Sequence, residues 1–459
     1  MHRWNDMETN PSSTAEPVEI AGRAERTAPA GRNMTGRAEA ADQTARAASP
    51  PAAAAAGKPD GPPRDLFGRP VTRHRGTDID GATLAPDEAL RVRGMDLNAL
   101  IGATSFEGAL AHLWFDVEPG AAGHAEHELA LRARLAELSG ALLPGSAAQT
   151  VAAEMGAAGV APVFAAAAGL LRGLDDAWAR VATPSPFDAD LEAMLGSAAA
   201  APFLLRAAIE GSPFAAGARA DDVVAFDAGS THARRMLALT GARRHDARAE
   251  QTMDALLVAW HAGFGYITPT VLAPRVAIGT GITLSQAVAA GFMASGPSHV
   301  GAALEAMQWL TALADTVSAP RPPAALEAAA RAAIDAALEA RQTLYGFGHP
   351  LFTADPRPPH LRRLLGEFGL DGGPYLSLFD ASCEHAAARR GLRPNIDFLT
   401  ATALLELGVE APSWGVGVGL GARIAAMCAH AVERRQRPAF GVNSATARRL
   451  LAAVPAGWL

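Results

Sequence analysis

The stretch Gly296-Pro297-Ser298-His299-Val300-Gly301-Ala302-Ala303, GPSHVGAA, decides how this chain is read. It interrupts an apolar run of helical character with glycine and proline and sets one imidazole at the break. VGAALEAMQWLTALA, which follows from Val300, reads as a new helix. A histidine at a helix N-terminus feels the positive end of the dipole, which disfavours imidazolium and keeps a neutral ring able to donate one hydrogen bond. Such a ring suits an oxygen that is gaining negative charge. Taken alone, His299 also has the plainer reading of a residue that merely satisfies a helix end.

Working outward, the same pattern recurs. Helical runs break at GTGITLSQ from Gly279, YGFGHPLFTADPRPP from Tyr345, RPNID from Arg393 and SWGVGVGLGAR from Ser413, and these breaks hold most of the distinctive polar residues of the second half. His349 sits in GFGHP, where the glycines permit close backbone approach. Asp397 falls in the expected first helical turn after Pro394, a place where aspartate also simply complements the dipole. Arg357, Arg423 and Arg437 each read singly as solvated charges; converging on one pocket they would clamp carboxylates.

The rest of the chain bounds the answer. At 459 residues there is ample material for a large core, and the formal charge of −7 argues against broad attraction to nucleic acid. Cys383 and Cys428 lie far apart without a CxxC partner, so neither a disulfide framework nor a zinc knuckle is expected, and a cytoplasmic protein fits. His385 stands two residues after Cys383, a spacing that diverges on a helix and makes a thiol nucleophile a poor reading. Residues 1–64, rich in Ala, Pro, Gly, Arg and Glu, read as a disordered tail with no signal peptide. The apolar run Val151–Leu171 is mostly Ala and Gly and contains Glu154, so it reads as a buried helix rather than a membrane span. LRARLAELSGALL, EALRVRGMDLNALI, TMDALLVAWHAGF and FLTATALLELG space their apolar residues three and four apart, and the fold class expected is all-α. His124 and His127 form an HxxH expected on an exposed helix, no metal site is indicated, and GVGVGLGAR reads as a packed glycine-rich helix or bend.

Taken in order, these pieces resemble the citrate synthase family. GPSHVGAA is similar to its GP-[LA]-H-G-[GL]-A-N loop, GFGHPLFTADPR to its G-[FY]-G-H…DPR segment and PNIDF to P-N-[VI]-D-F. LRVRGMDLNALIGATSFEGALAHL and MLALTGARRHDARAEQTMDALLVAWHAGF are similar to its upstream segments. The resemblance implies an all-α fold with a large domain, residues 65–300 and 399–459, and a smaller inserted domain, residues 301–398, working as a homodimer. It implies an acyltransferase that condenses an acyl-CoA, acetyl-CoA above all, with an oxaloacetate-like 2-oxo acid through an enol, with no bound cofactor. Cleavage of a citryl-CoA-like thioester, or a silent CoA-binding relative, are the alternatives. In that scheme His299 stabilises the enol, Asp397 takes the alpha proton and His349 polarises the ketone. Arg357 and Arg423 hold acceptor carboxylates, joined by Arg437 of a second subunit, while Gly296, Gly301, Gly346 and Gly348 make room for coenzyme A. The chain also departs from the pattern. Gly265 falls where the family has a second acceptor-site histidine; the nearest imidazole, His261, reads either as a core histidine or, on a re-registered helix, as a ring reaching inward to bind the acceptor, and Arg275 falls on the family's arginine. Ser298, Val300, Ala303 and Pro350 replace the usual residues.

Overall fold

The computed structural model describes residues 79–84, 87–214, 226–227, 229–265, 268–435 and 448; the expected tail and Arg437 lie outside them. Helix follows helix from Leu97 to Arg435, as the spacing of apolar residues requires. Side chains close the helix ends: Ser105 accepts from the Gly108 N–H, Thr231 from the Arg234 N–H, and Thr283 and Gln286 bond reciprocally in a capping box. The described residues belong to one compact unit, Pro59–Leu459.

The segment EALRVRGMDLNALI departs from its expected helix. It forms β2 (Ala89–Val92) and β3 (Met95–Asp96), which complete an antiparallel sheet in the order β1-β2-β3 with β1 (Asp80–Thr83). Arg91 faces Asp96 and Val92 faces Met95, so Arg93-Gly94 is a two-residue turn. Both turn residues have positive φ, +50° and +85°, the requirement of the hairpin turn that matches strand twist. Buried Leu90 and Val92 alternate with Arg91 at period two; the helical spacing arose only by counting across the turn.

Alanine and glycine let helices approach closely. Ala147–Ala157, Pro162–Arg172 and Ala189–Glu210 pack on one another, and a Cβ at Gly156 would come 2.0 Å from the Ala208 carbonyl oxygen. The run Val151–Leu171 is thus two helices instead of one, because Gly159 turns the chain at φ +88° and Pro162 starts the next helix. Ala189–Glu210 and Ser413–Arg435 are long and apolar enough to cross a membrane, and both are mostly buried inside the fold. His124 is also buried, its Nε2 3.0 Å from the Gly108 carbonyl oxygen, while His127 stacks on Phe115 at 3.9 Å; the HxxH pair does not lie on an exposed face.

Helices Ala302–Asp315, Pro323–Glu339, Pro374–Arg390 and Ile396–Glu406 pack together around Phe398. Its ring meets Phe347 at 4.9 Å, Phe379 at 5.1 Å and Trp309 at 6.0 Å. The next residue toward the N-terminus is Asp397, so this aromatic packing fixes the helix end that carries the carboxylate.

Candidate active site

The His299 loop is held by its own backbone. Gly296 and His299 exchange N–H···O bonds of 2.8 and 2.9 Å, and the Gly301 N–H reaches the Gly296 carbonyl at 3.1 Å. A Cβ at Gly301 would stand 2.5 Å from that carbonyl oxygen, which explains the glycine. Val300, where the family pattern has glycine, adopts φ +67° with its side chain buried, a left-handed conformation that costs a β-branched residue about 1–3 kcal/mol. His299 lies two residues before the cap of helix Ala302–Asp315. Its Nε2 is 3.3 Å from the Thr270 hydroxyl, which accepts from Arg423 Nη1 at 3.3 Å. The Thr270 proton is thereby free to be donated to Nε2, an arrangement that leaves the ring proton on Nδ1. Burial, then the Arg423 charge, lowers the His299 pKa to about 4, so the ring is neutral at pH 7.

His349 is oriented differently. Its Nδ1 accepts from the Leu351 and Phe352 N–H groups at 3.1 and 3.2 Å, which assigns its proton to Nε2. Burial lowers its pKa, with Asp355 opposing and Arg357 reinforcing. Phe264 and Phe352 stack on the ring at 5.5 and 4.8 Å. The loop is laced to the segment before Asp397: Gly348 N–H to Arg393 carbonyl at 2.8 Å, Asn395 N–H to Gly346 carbonyl at 2.8 Å, and Asn395 side-chain amide to Gly348 carbonyl at 2.9 Å. Gly346, at φ +85°, leaves no room for a Cβ, which would lie 2.5 Å from that of Phe398.

Asp397 occupies the first turn of helix Ile396–Glu406, where the Asn395 side chain caps its N–H at 3.0 Å. Its Oδ1 has no hydrogen-bond partner among the described residues. Burial pushes the carboxyl up to about 6 against the pull of Arg357 and Arg423. It is therefore mostly ionised at pH 7 yet close enough to neutrality to take a proton, the balance expected of a general base.

Arg357 is buried and held by Asp355 through Nε at 2.9 Å and Nη2 at 2.7 Å, while Nη1 reaches the Ala259 carbonyl at 3.3 Å. Asp355 Oδ2 also accepts the Ile396 N–H at 3.0 Å, joining the arginine to the helix of Asp397. Burial, then Arg357, lowers the Arg423 guanidinium to about 10, so it stays charged.

His299, His349, Asp397, Arg357 and Arg423 all line one cavity of about 190 Å³, with Trp260 and Phe264 in its wall. Gly296, Gly301, Gly346 and Gly348 shape the two histidine loops beside it. His261 is not brought there: it follows the last helical residue, Trp260, is fully buried, and points its ring edge-on at Phe106, 6.0 Å away. Neighbouring residues at a helix end diverge by about 100°, and Trp260 takes the cavity side. Arg275 is likewise off the cavity, paired with Glu433 at 2.6 Å. At Gly265 the N–H donates to Asp80 Oδ1 at 2.5 Å, and Gly263 donates to Oδ2 at 2.6 Å, so the carboxylate of β1 pins the loop of Phe264. His430 Nε2 meets the same Asp80 at 3.0 Å.

Sequence reading missed Thr270, Asp355, Asn395, Trp260 and Asp80 as supports. Asn395 carried a signal, an Asn before a helical run, and Asp355 stood in the quoted DPR unit. Asp80 carried none, since its partners lie 183 to 350 residues away.

An all-α architecture thus brings two loop imidazoles and a first-turn carboxylate to one cavity. The profile described as citrate synthase, C-terminal domain, matches residues 66–440, and the chain belongs to the citrate synthase family. Among solved structures it is similar to citrate synthase of Thermotoga maritima, with TM-score 0.58, 16% identity, and 78% of this chain and 88% of that one covered. Citrate synthase of Pyrobaculum aerophilum gives TM-score 0.56 and 19% identity over 76% and 85% of the two chains. A 2-methylcitrate synthase of Mycobacterium tuberculosis is 30% identical over 108 residues, 23% of this chain and 27% of that protein's length.

Proposed function

We propose that the protein condenses an acyl-CoA, acetyl-CoA first among candidates, with an oxaloacetate-like 2-oxo acid and hydrolyses the resulting thioester. Asp397 removes the alpha proton while His299 donates through Nδ1 to the thioester oxygen, giving an enol. Its carbon attacks the ketone, whose oxygen receives a hydrogen bond from His349 Nε2. Arg423 and Arg357 hold the acceptor's carboxylates, with Arg437 of a second subunit as a third clamp. Gly296, Gly301, Gly346 and Gly348 let the two histidine loops fold tightly beside the cavity, the side assigned to coenzyme A. This chemistry needs no metal and no resident cofactor.

The observation that carries the reading is the convergence of both imidazoles, the carboxylate and two guanidiniums on one cavity. Opposed titrations support it: burial makes His299 a neutral donor and leaves Asp397 a base with a pKa of about 6. A citrate synthase of Thermoplasma acidophilum with TM-score 0.57 and 15% identity, over 80% of this chain and 91% of that one, was solved with carboxymethyl coenzyme A and oxaloacetate, the ligand classes assigned to this cavity. The reading extends to a cytoplasmic homodimer with a small domain, residues 301–398, closing on the rest to exclude water.

The test is a panel of acyl-CoA esters against 2-oxo acids, read by mass spectrometry with free thiol followed in parallel. Acceptor-dependent release of coenzyme A with a new hydroxy acid is expected. Cleavage of citryl-CoA to acetyl-CoA without thiol release would replace the proposal by a lyase, and no turnover with any pair would sink it.

A further inference from the structure

Trp260 takes no part in the chemical steps assigned above, yet it walls the cavity and both cavity guanidiniums sit over its indole. The Arg423 guanidinium carbon is 5.0 Å from the ring centroid and that of Arg357 is 5.8 Å away. Two like charges in one small cavity repel, and the lowered pKa of Arg423 reflects Arg357 as well as burial. An aromatic face attracts a cation without occupying any of its N–H groups. That matters most for Arg423, which spends Nη1 on Thr270 and whose Nε has no partner among the described residues.

The indole is itself fixed. Its N–H donates to the Thr400 hydroxyl at 2.8 Å, one turn along the helix that begins beside Asp397. On the facing helix, Gly419 makes the slot: a Cβ there would lie 3.0 Å from the ring. Gly419 is one turn before Arg423, so a single helix both seats the indole and delivers one of its cations.

We propose that Trp260 is a positioning residue for the acceptor's carboxylate end, its indole setting the spacing and plane of Arg357 and Arg423 and tying both to the helix of the base. This rests on the acceptor-site reading above. Trp260 acts through the arginines, so its loss should weaken the acceptor and leave the acyl-CoA side alone.

The experiment titrates oxaloacetate calorimetrically into the full-length wild type and into Trp260→Phe, Trp260→Leu and Gly419→Ala, with melting curves and, for active forms, both KM values and kcat. Trp260→Leu should weaken oxaloacetate binding about tenfold with the KM for acetyl-CoA unchanged, and Trp260→Phe should restore most of the loss. Gly419→Ala, which displaces the ring without removing it, should weaken oxaloacetate by a smaller factor and decides the matter if Trp260→Leu does not fold. Wild-type affinity in a folded Trp260→Leu, or equal losses for both substrates, overturns the proposal. Wild type that binds oxaloacetate without turnover removes the condensation reading while the affinity series still judges Trp260. Wild type that does not bind it removes both.

Discussion

Among the described residues, one buried cluster of ionisable side chains faces a cavity and another is sealed between helices. In the sealed cluster Glu107 Oε1 accepts the His232 N–H at 2.8 Å and lies 3.9 Å from Arg235, and Asp254 accepts the Phe106 N–H at 2.8 Å. Glu107, His232 and Arg235 are 0, 2 and 1% exposed. Burial, then Arg235, lowers the His232 ring to about 3, and burial, then Glu107, pushes the Asp254 carboxyl up to about 8. These displacements match or exceed those of His299 and Asp397. A perturbed titration therefore reports desolvation, and only the placement of the group separates support from chemistry. Glu107 and His232 sit in the first turns of their helices just as Asp397 does, so what separates the clusters is that His299, His349 and Asp397 face the cavity while Glu107, His232 and Arg235 do not line it.

The sharpest test of that contrast is Asp397→Asn. Loss of the base should lower kcat about 10³-fold while acyl-CoA affinity, measured by titration, stays within about twofold. Undiminished turnover would remove Asp397 from the mechanism. Glu107→Gln should do the opposite. Removing the counter-charge of buried Arg235 costs about 3–5 kcal/mol in denaturant melts, with kcat per folded molecule unchanged. A kcat loss as deep as that of Asp397→Asn would erase the distinction between the clusters.

The pH profile sharpens it further. Wild-type kcat/KM should fall about tenfold per unit below pH 6 as Asp397 takes its proton, while His299, near 4, stays mostly neutral down to about pH 5. Because the folded carboxyl of Asp397 is raised from 3.8 to about 6, its ionisation opposes folding. The fold is free of that penalty below pH 3.8 and carries all of it above pH 6. Asp397→Asn should therefore gain about 3 kcal/mol of stability at pH 7.5 and none at pH 3.5; equal gains at both would mean the carboxyl is not raised. The smallest effect is expected of Asn395→Ala, about 1 kcal/mol of stability from the lost cap with a modest fall in kcat as the His349 loop loosens. An unchanged kcat would show that the loop is held without it.

How much of this was legible follows from where the information lies along the chain. His299, His349 and Asp397 could be singled out because glycine and proline interrupt apolar periodicity around each, a local signal. Arg357 and Arg423 became legible only with the family's order of motifs. The hairpin at Arg93-Gly94 was read as helix because its apolar positions fall three and four apart across the turn. Val151–Leu171 was read as one helix because composition outweighed the break at Gly159. Thr270, Trp260 and Asp80 escaped because their roles are pairings with residues 153, 140 and 350 positions away, which no local pattern encodes. His261 was weighed as a substitute for the missing imidazole, and a rotation of one helical position sent its ring to Phe106 instead.

The bond between Asp80 and His430 closes a span of 350 residues. During translation at about 5–20 residues per second, the first partner waits roughly 20 to 70 s for the second. The floor beneath Phe264 is thus among the last parts to be finished, and Arg423 arrives only moments before it. Nascent chains stalled short of His430 should retain no hold on oxaloacetate, however completely their earlier helices have formed.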